Sequence, residues 1–420
     1  MTHTALPEDR RTRQVLVLGT DSRVVLAVAR SLGRQGLGVH LGWWRPDEPI
    51  ALYSRYVRQR HEIPPYSPHN DAWKRALLRL LESHAFDLVI ACNDSTVVPL
   101  QIHRADFERF GCVHLLPPET FEVAFDKFKT YDLAKSLGIP VPEGAAVYSA
   151  ADAESWFGRL QPPMVLKPRA TITAESTGGS NVVRKAHDLD ELRQLIARKP
   201  FCHGVLVQEN FVGTGAGVEL LAYQGEVLFA FQHARIHETM EVGSSYRKSV
   251  PLDPDLLEAA RRLMKALGYT GVAMAEFIVN PDTGRWVFLE INGRFWGSLP
   301  LAVAAGADFP YYLYQLLVEG KREFPQEYQT EVFCRNLLLD WRGSRQWAGR
   351  GLRRITALGK TAYELLTRDH LDSFAGDDMK PGFVELGHFG RRLWSRLRGK
   401  PSSPGEASRP AQVPLPAKGR

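Results

Sequence analysis

The sequence has little of what several large protein classes require. It has four cysteines among 420 residues and no CxxC pair, which argues against a disulfide framework or a zinc module and favours a reducing compartment. No apolar run approaches the roughly eighteen residues that a membrane-spanning helix needs. The thirteen histidines include no HExxH motif, so we predict no histidine-built metal site. The first residues contain no apolar stretch, and we expect a cytoplasmic protein.

Net charge is also nearly absent from most of the chain. The formal net charge is +6, but residues 391–420 alone contribute +7, which leaves −1 for the other 390 residues. A basic tail is therefore predicted rather than a basic folded surface, and we expect no specific nucleic-acid partner. The tail is predicted to be disordered because its last twenty residues include five prolines and few apolar residues. Contact between this tail and an anionic membrane remains an open alternative.

The composition that is present, 44% apolar and 24% charged, is typical of globular proteins, and the length suits roughly two or three domains. Near the N-terminus, short apolar runs alternate with helical patterns, which predicts a parallel sheet with helical crossovers. The predicted elements are strand Gln14–Leu18, helix Val24–Gln35, strand Val39–Trp43, helix Ala72–Ser83 and strand Leu88–Cys92. The first turn, Gly19–Ser22, lacks GxGxxG, so a dinucleotide site has weak support. Asn93-Asp94 follows a strand, where either a ligand contact or an Asx turn is expected.

The most informative motif is the run from Trp286 to Arg294, which reads WVFLEINGR. With a period of two, Glu290, Asn292 and Arg294 share one face of a strand, and Phe288 is expected on that face as well. The preceding strand carries Glu276, and a hairpin with either an odd-length loop or one bulge at Gly284 would place it opposite Glu290. Two facing carboxylates repel unless a cation lies between them, which suggests Mg²⁺. A surface hairpin with ordinary ion pairs is the alternative interpretation.

Other polar residues end or interrupt apolar segments. Lys167 closes the strand that begins at Pro163, and a Ser/Gly loop follows it with Ser176, Gly178, Gly179 and Ser180. Such loops let backbone N–H groups approach phosphate oxygens. Glu209 ends the strand that begins at Val205, and Phe211 and Val212 follow; Glu219 lies in the next strand, Val218–Tyr223. Asp126-Lys127 lies in a predicted helix, Phe121–Leu137, where Lys127 is equally compatible with a solvated helix face.

Taken in order, these motifs resemble the ATP-grasp superfamily over roughly Phe121 to Gly320. The resemblance implies an α/β and α+β fold, with a Rossmann-like preATP-grasp domain, an ATP-grasp fold and a basic C-terminal extension. The expected boundaries are 1–13 for a disordered N-terminus, 14–120 for the first domain, 121–325 for the ATP-grasp domain, 326–390 for a mixed or helical extension and 391–420 for the tail.

The resemblance also implies roles for individual residues. Lys127 and Lys167 would hold the ATP phosphates, and the loop from Ser176 to Ser180 would close over them. Glu209, Phe211 and Val212 would contact adenine, and Glu219 would be an acid on the nucleotide side. One or two Mg²⁺ or Mn²⁺ ions would be held by Glu276, Glu290 and Asn292, and Arg294 together with Lys167 would serve catalysis.

The chain departs from the biotin carboxylase pattern at Ser298, where those enzymes have a glutamate four positions after the arginine, so bicarbonate chemistry is not expected. Arg235 and Arg247 are candidates for binding an anionic substrate, although an ordinary surface loop fits that stretch equally well. We therefore predict an ATP-dependent ligase that joins a small carboxylate to an amine or thiol through an acyl-phosphate, with a homodimer among the assemblies allowed. The alternative is a non-catalytic ATP-binding regulator whose basic tail contacts an anionic partner.

Overall fold

The computed structural model describes residues 13–397, apart from 46–47, 171–182, 199–200, 202–203, 240–242, 350 and 368. The described residues form three β-sheets with helices packed against them. None of the helices in this part of the chain has the length and apolar character needed to span a bilayer.

The first sheet is parallel and has the strand order β3-β2-β1-β4. Its elements are β1 (Gln14–Leu18), α1 (Ser22–Arg34), β2 (Gly38–Trp43), β3 (Val57–Glu62), α2 (Ala72–Ser83), β4 (Leu88–Ala91), α3 (Asp94–Ile102) and α4 (Arg104–Phe107). Helix α1 begins where the Asp21 carboxylate accepts the N–H groups of Arg23 and Val24, which its first turn would otherwise leave unpaired. The predicted parallel sheet with crossover helices is confirmed.

The second sheet is small and antiparallel, with the order β5-β8-β6-β7. The elements from this stretch are α5 (Pro118–Ala124), α6 (Lys127–Ser136), β5 (Gly144–Val147), α7 (Ala150–Phe157), β6 (Met164–Pro168), β7 (Arg184–Ala186), α8 (Leu189–Ile196) and β8 (Val205–Gln208). The predicted single helix Phe121–Leu137 is wrong, because the Asp126 carboxylate accepts the N–H groups of Phe128 and Lys129 and so starts a new helix, α6.

The third sheet has seven strands in the order β13-β12-β9-β10-β11-β14-β15. Its strands and the helices around them are β9 (Thr214–Tyr223), β10 (Glu226–Thr239), β11 (Gly243–Val250), α9 (Pro254–Leu267), β12 (Gly271–Val279), β13 (Trp286–Asn292), α10 (Leu299–Ala304), α11 (Phe309–Val318), β14 (Phe333–Arg335), α12 (Leu337–Trp347), α13 (Leu352–Thr367), β15 (Asp369–Leu371) and α14 (Lys380–Leu397). Arg235 and Arg247 lie in the paired strands β10 and β11, so the surface-loop alternative for that stretch is wrong.

The segment expected to form a C-terminal extension is built into the body of the protein. Strands β14 and β15 lengthen the seven-stranded sheet, and the chain then returns to the first sheet. There Asp378 accepts a hydrogen bond from Arg30 Nε at 3.0 Å and another from Ser54 Oγ at 2.7 Å, all three side chains being buried. The predicted tail begins too early, because α14 continues to Leu397. Most of that tail, and nearly all of the predicted disordered N-terminus, lie outside the described residues.

Candidate active site between two sheets

Two carboxylates face each other at the edge of the seven-stranded sheet. In the antiparallel β12–β13 pair, Glu276 lies directly opposite Glu290, and Asn292 lies opposite Met274. The side chains of Glu276 and Glu290 are 15% and 16% exposed, so neither carboxylate is fully solvated. The predicted cross-strand pairing of the two acids is therefore present.

The bulge that creates this pairing lies beside the acids rather than at Gly284. Glu276 pairs with Glu290 and Phe277 pairs with Phe288, which leaves Leu289 as the extra residue. A bulge shifts the alternation of side chains by one position. As a result Phe288 and Ile291 are buried in the same hydrophobic cluster, and the expectation that Phe288 shares the face of Glu290 is wrong.

Two lysines approach Glu290 from different elements. Lys127 lies at the start of α6, and its Nζ is 3.2 Å from Glu290 Oε2. Lys167 lies in β6 of the small sheet, is 7% exposed, and interacts electrostatically with Glu290, Lys127 and Glu276. Among the residues that the structure describes, Lys167 has no hydrogen-bond or ion-pair partner. The site thus lies where the small sheet meets the large one, and it contains a buried amine available to an anion.

Arg235 supplies the cation next to the other acid. Its Nη2 lies 2.6 Å from Glu276 Oε1, and the Arg235 side chain is 16% exposed. Strand β10, which carries Arg235, is separated from the Glu276 strand by β9 alone, so the long guanidinium side chain spans one strand. The structure therefore brings this candidate substrate residue to the acidic pair.

Arg294 follows β13 and is held by an acid from the first sheet. Its Nε and Nη2 donate to the two carboxylate oxygens of Asp94 at 2.8 and 3.3 Å, and its Nη1 donates to Phe295 O. Of the five N–H groups of a guanidinium, these contacts use three. Gly293 is required beside it because a Cβ there would lie 2.8 Å from the Phe125 ring.

The electrostatics of the cluster lower the pKa of both Glu290 and Lys167. Burial alone would raise the pKa of Glu290, but Lys127, Lys167 and Arg294 outweigh burial and hold that pKa below its ordinary value. Burial lowers the pKa of Lys167, and the nearby Lys127 lowers it further, despite the opposing influence of Glu290. Lys127, Lys167, Arg235 and Arg294 are gathered around Glu276, Glu290 and Asp94, and such a concentration of cationic groups suits a polyanionic ligand.

Comparison with known proteins identifies proteins that are similar to this chain. A family model described as "ATP-grasp in the biosynthetic pathway with Ter operon" matches residues 201–337. A D-alanine–D-alanine ligase from Gloeobacter violaceus is 30% identical over 215 residues, which cover 46% of this chain and 68% of the ligase. The chain belongs to the ATP-grasp superfamily.

Two further matches agree with this membership. Acetyl-CoA carboxylase 2 of Oryza sativa is 26% identical over 230 residues, so 46% of this ATP-grasp chain matches only 9% of the length of that relative. Among solved structures, the biotin carboxylase domain of the Hydrogenobacter thermophilus 2-oxoglutarate carboxylase, in complex with MgADP and bicarbonate, superposes with a TM-score of 0.61. That match has 16% sequence identity and covers 76% of this chain and 73% of the other. The superposition shows that the two proteins share a fold.

The residues predicted to contact adenine lie on the linker between the small and large sheets of this ATP-grasp fold. Glu209 follows β8, and its Oε1 accepts the N–H of Glu143 at 3.0 Å. Phe211 lies beneath the Arg285 guanidinium, whose central carbon is 6.0 Å from the ring centroid. Val212 is 70% exposed, and its carbonyl already accepts a hydrogen bond from Asn280. The phosphate-loop residues Ser176, Gly178, Gly179 and Ser180 lie outside the described residues.

Glu219 is not a solvent-facing acid of the nucleotide site. It is fully buried, its Oε1 lies 2.5 Å from His233 Nδ1, and it accepts a hydrogen bond from Ser298 Oγ at 3.2 Å. Burial raises the pKa of Glu219, although His233 and Ser298 oppose that change. The assignment of Glu219 to the nucleotide is therefore wrong in this structure. Ser298 supports a buried acid at the position where biotin carboxylases have a glutamate.

Arg247 also lies away from the site. It is fully buried and forms an ion pair with Asp372, next to Cys334. Arg235 and Arg247 are cross-strand neighbours, yet their guanidinium groups reach different carboxylates. A buried arginine already paired in the core cannot reach a substrate, so the substrate assignment of Arg247 is wrong.

Sequence reasoning left Asp94 out of the candidate site. The signal was present, because Asn93-Asp94 follows a parallel strand at its carboxyl end, where such sheets bring polar groups together. Asn93 is the N-cap residue of α3, where its N–H donates to Thr96 Oγ1 and its Oδ1 accepts from the same hydroxyl, and Asp94 reaches Arg294. With Lys127, Glu290 and Asn292, Asp94 lines a cleft. The dipeptide therefore begins α3 and places an acid beside Arg294, and its contact with a ligand stays a prediction.

Proposed function

We propose that this protein is an ATP-dependent ligase that joins a carboxylate to an amine through an acyl-phosphate and releases ADP and phosphate. The observation that carries the proposal is the facing pair Glu276 and Glu290 with lysine and arginine side chains arranged around it. Phosphoryl transfer requires positioned cations around the transferred group more than it requires covalent help from the protein. The cluster supplies that environment in a site partly shielded from water.

The donor set fits Mg²⁺ or Mn²⁺. Glu276, Glu290 and Asn292 offer only oxygen and amide oxygen atoms, which hard divalent cations prefer. The two acids are adjacent across a strand pair, and each now has a cationic side chain as its counter-charge. These three residues would hold one or two ions, which would supply positive charge to neutralise phosphate oxygens during phosphoryl transfer.

The other residues around the acidic pair would bind the nucleotide. Lys167, buried and without a partner among the described residues, would hold phosphate oxygens together with Lys127. Arg294 is fixed by Asp94 and retains two N–H groups for the charge that develops on the transferred phosphoryl group. The linker at Glu209 and Phe211 would contact adenine, and the loop 176–180 would cover the phosphates.

The chemistry then takes two steps. A substrate carboxylate oxygen attacks the γ-phosphorus, the bond to the β-phosphate oxygen breaks, and ADP leaves. The amine nitrogen next attacks the acyl carbon and expels phosphate. Arg235, which reaches the acidic pair from β10, is the candidate contact for the substrate carboxylate. Because the D-alanine–D-alanine ligase relative is named for joining two amino acids, amino acids are the first substrates to test.

Isotope exchange tests the first step separately from the second. ATP labelled with ¹⁸O in the β–γ bridge is incubated with the protein, Mg²⁺ and pooled amino acids or small carboxylates. Movement of the label to a non-bridging β-phosphate position, with ADP and phosphate as net products, is the expected result for one pool. Glu290→Gln should abolish both signals, while Glu331→Gln, an exposed acid, should leave them unchanged.

Other products would contradict the proposal. AMP and pyrophosphate would exclude an acyl-phosphate route. ADP formation that ignores every added carboxylate would identify an ATPase. Tight ATP binding with no exchange across all pools would favour the alternative of a non-catalytic regulator. A dimer is compatible with the fold, and light scattering measures it directly.

A further inference from the structure

Three histidines from separate elements meet at the edge of the first sheet. His40 lies in β2, His61 lies in the outer strand β3, and His84 immediately follows α2. One ring nitrogen of each histidine lies within 4.8 Å of a ring nitrogen of each of the other two. His40 Nδ1 and His61 Nε2 are 3.0 Å apart. These residues are 21 and 23 positions apart along the chain, so no linear motif announces them.

The spacing is close to what a metal ion needs. Nitrogens bound to zinc at 2.0–2.1 Å with tetrahedral angles stand about 3.3 Å from one another. The nitrogens of His40 and His61 are 3.0 Å apart, which is close to that value. Nitrogens of the three residues that are as much as 4.8 Å apart would have to move closer by roughly 1.5 Å to bind one ion. His61 and His84 are half-buried, and their rings contact each other and His40, so binding would draw together three rings that already touch.

The hydrogen bonds around the rings leave lone pairs available. His84 Nδ1 lies 2.9 Å from Ser83 Oγ and 3.3 Å from the Leu80 carbonyl. With the proton on Nδ1, His84 would donate to the Leu80 carbonyl and keep the lone pair of Nε2 for a metal, the arrangement found when a metal-bound histidine donates to a backbone oxygen. His40 is 1% exposed, and its Nε2 has no hydrogen-bond partner. In the proposed site His40 would bind through Nδ1, which faces His61, and Nε2 would carry the proton.

His40 Nδ1 and His61 Nε2 share a hydrogen bond, so one of these two nitrogens carries the proton. Metal binding would move that proton to the other nitrogen of the same ring, which frees both facing lone pairs.

We propose that His40, His61 and His84 form a binding site for a first-row transition metal of the zinc class, with the fourth coordination position open to solvent. Nitrogen donors select such a metal over Mg²⁺, which prefers oxygen. The site is distinct from the acidic pair of the proposed active site and does not depend on the proposed function. A bound ion would fasten the exposed outer strand β3 to β2 and to the end of α2.

Zinc titration of the full chain tests this site. To exclude binding at the acidic pair, the titration is made in a Glu276→Gln/Glu290→Gln background after treatment with a chelator. We expect the protein to bind one equivalent of Zn²⁺. Co²⁺ bound at the same place should give the visible absorption of a four-coordinate site with three nitrogen ligands. His61→Ala and His84→Ala should each weaken binding by more than about tenfold. His69→Ala, which removes an exposed histidine elsewhere, is the matched control.

A stabilisation measurement covers the case in which an alanine variant folds poorly. His84→Gln preserves volume, and zinc should raise the Tm of the background chain but not that of the chain carrying His84→Gln. Absence of stoichiometric zinc binding would overturn the proposal. So would binding that His61→Ala, His84→Ala and His84→Gln all leave unchanged.

Discussion

Arg294 Nε and Asp94 Oδ1 are 2.8 Å apart, although 200 residues separate them in the chain. The pair joins the end of the parallel sheet to the end of the strand that carries Glu290. Both side chains are 18% exposed, so the contact is partly shielded from water and fixes the guanidinium with two hydrogen bonds. The first domain thus contributes directly to the geometry of the candidate active site.

Asp94→Ala should lower kcat roughly a hundredfold, because a guanidinium displaced by about 1 Å no longer matches the transition state. ATP affinity should change little, since Lys127 and Lys167 remain. Steady-state kinetics with separate measurement of nucleotide binding checks this, and Asp94→Asn should recover part of the loss. Asp106→Asn, which removes an exposed acid of the same domain, serves as the control. An equal loss of ATP affinity and kcat would show that the variant disturbs the whole site.

Lys167→Met should weaken ATP binding by about 2 kcal/mol, roughly 30-fold in Kd, because a charged hydrogen bond to phosphate is lost. The same change should raise the Tm of the ligand-free protein. Folding lowers the pKa of Lys167, so the buried ammonium costs stability at neutral pH. Calorimetry on both forms measures the two effects. A lower Tm would contradict the expectation that the buried ammonium of Lys167 destabilises the folded protein. Lys129→Met, which removes an exposed ion pair, is the control and should change neither the Kd for ATP nor the Tm.

Acid should remove the stabilising effect of Glu290. Folding holds the pKa of Glu290 below its ordinary value, so its contribution is complete above about pH 4.5 and disappears as the pH falls through the folded-state pKa. The Tm difference between the wild-type protein and Glu290→Gln should therefore be largest near neutral pH and shrink towards pH 3. Thermal unfolding across that range tests the sign. A difference that stays constant would mean that the carboxylate is not ionised preferentially by folding.

Asp372→Ala should destabilise the protein by about 3–5 kcal/mol, since it leaves the buried Arg247 guanidinium without its partner. Denaturant unfolding measures the loss. The neighbouring strand position offers a matched control: Glu331→Ala breaks the exposed pair with Lys248 and should cost less than about 1 kcal/mol. Comparable losses in the two variants would contradict the structural role of Arg247.

Local patterns in the sequence predicted much of this fold. The bounds of β1 and α2 are as expected, since a short apolar run and an amphipathic stretch each determine their own structure. The pairing of Glu276 with Glu290 also followed from a hairpin and strand periodicity. The position of the bulge did not, because Leu289 is an ordinary apolar residue that could occupy either phase of the strand.

The failures share a physical cause, which is contact between distant segments. Arg247 looked like a substrate residue because nothing local indicates that Asp372 will bury its charge. His40, His61 and His84 come together because three separate elements pack against one another, and the spacing of these histidines along the chain does not predict that contact. The helix break before Lys127 was the exception, since Asp126 is a common N-cap residue and its side chain could have been recognised.

The return of the chain to α1 has a consequence for synthesis on the ribosome. The last strand of the first sheet ends at Ala91, yet the buried guanidinium of Arg30 has its carboxylate partner at Asp378. At translation rates of about 5–20 residues per second, the roughly 290 intervening residues take about 15–60 s to emerge. Throughout that interval the nascent first domain carries an unmatched charge on a surface that is covered in the finished protein. The charge of Arg30 is therefore matched only after the segment around Asp378 has been synthesised.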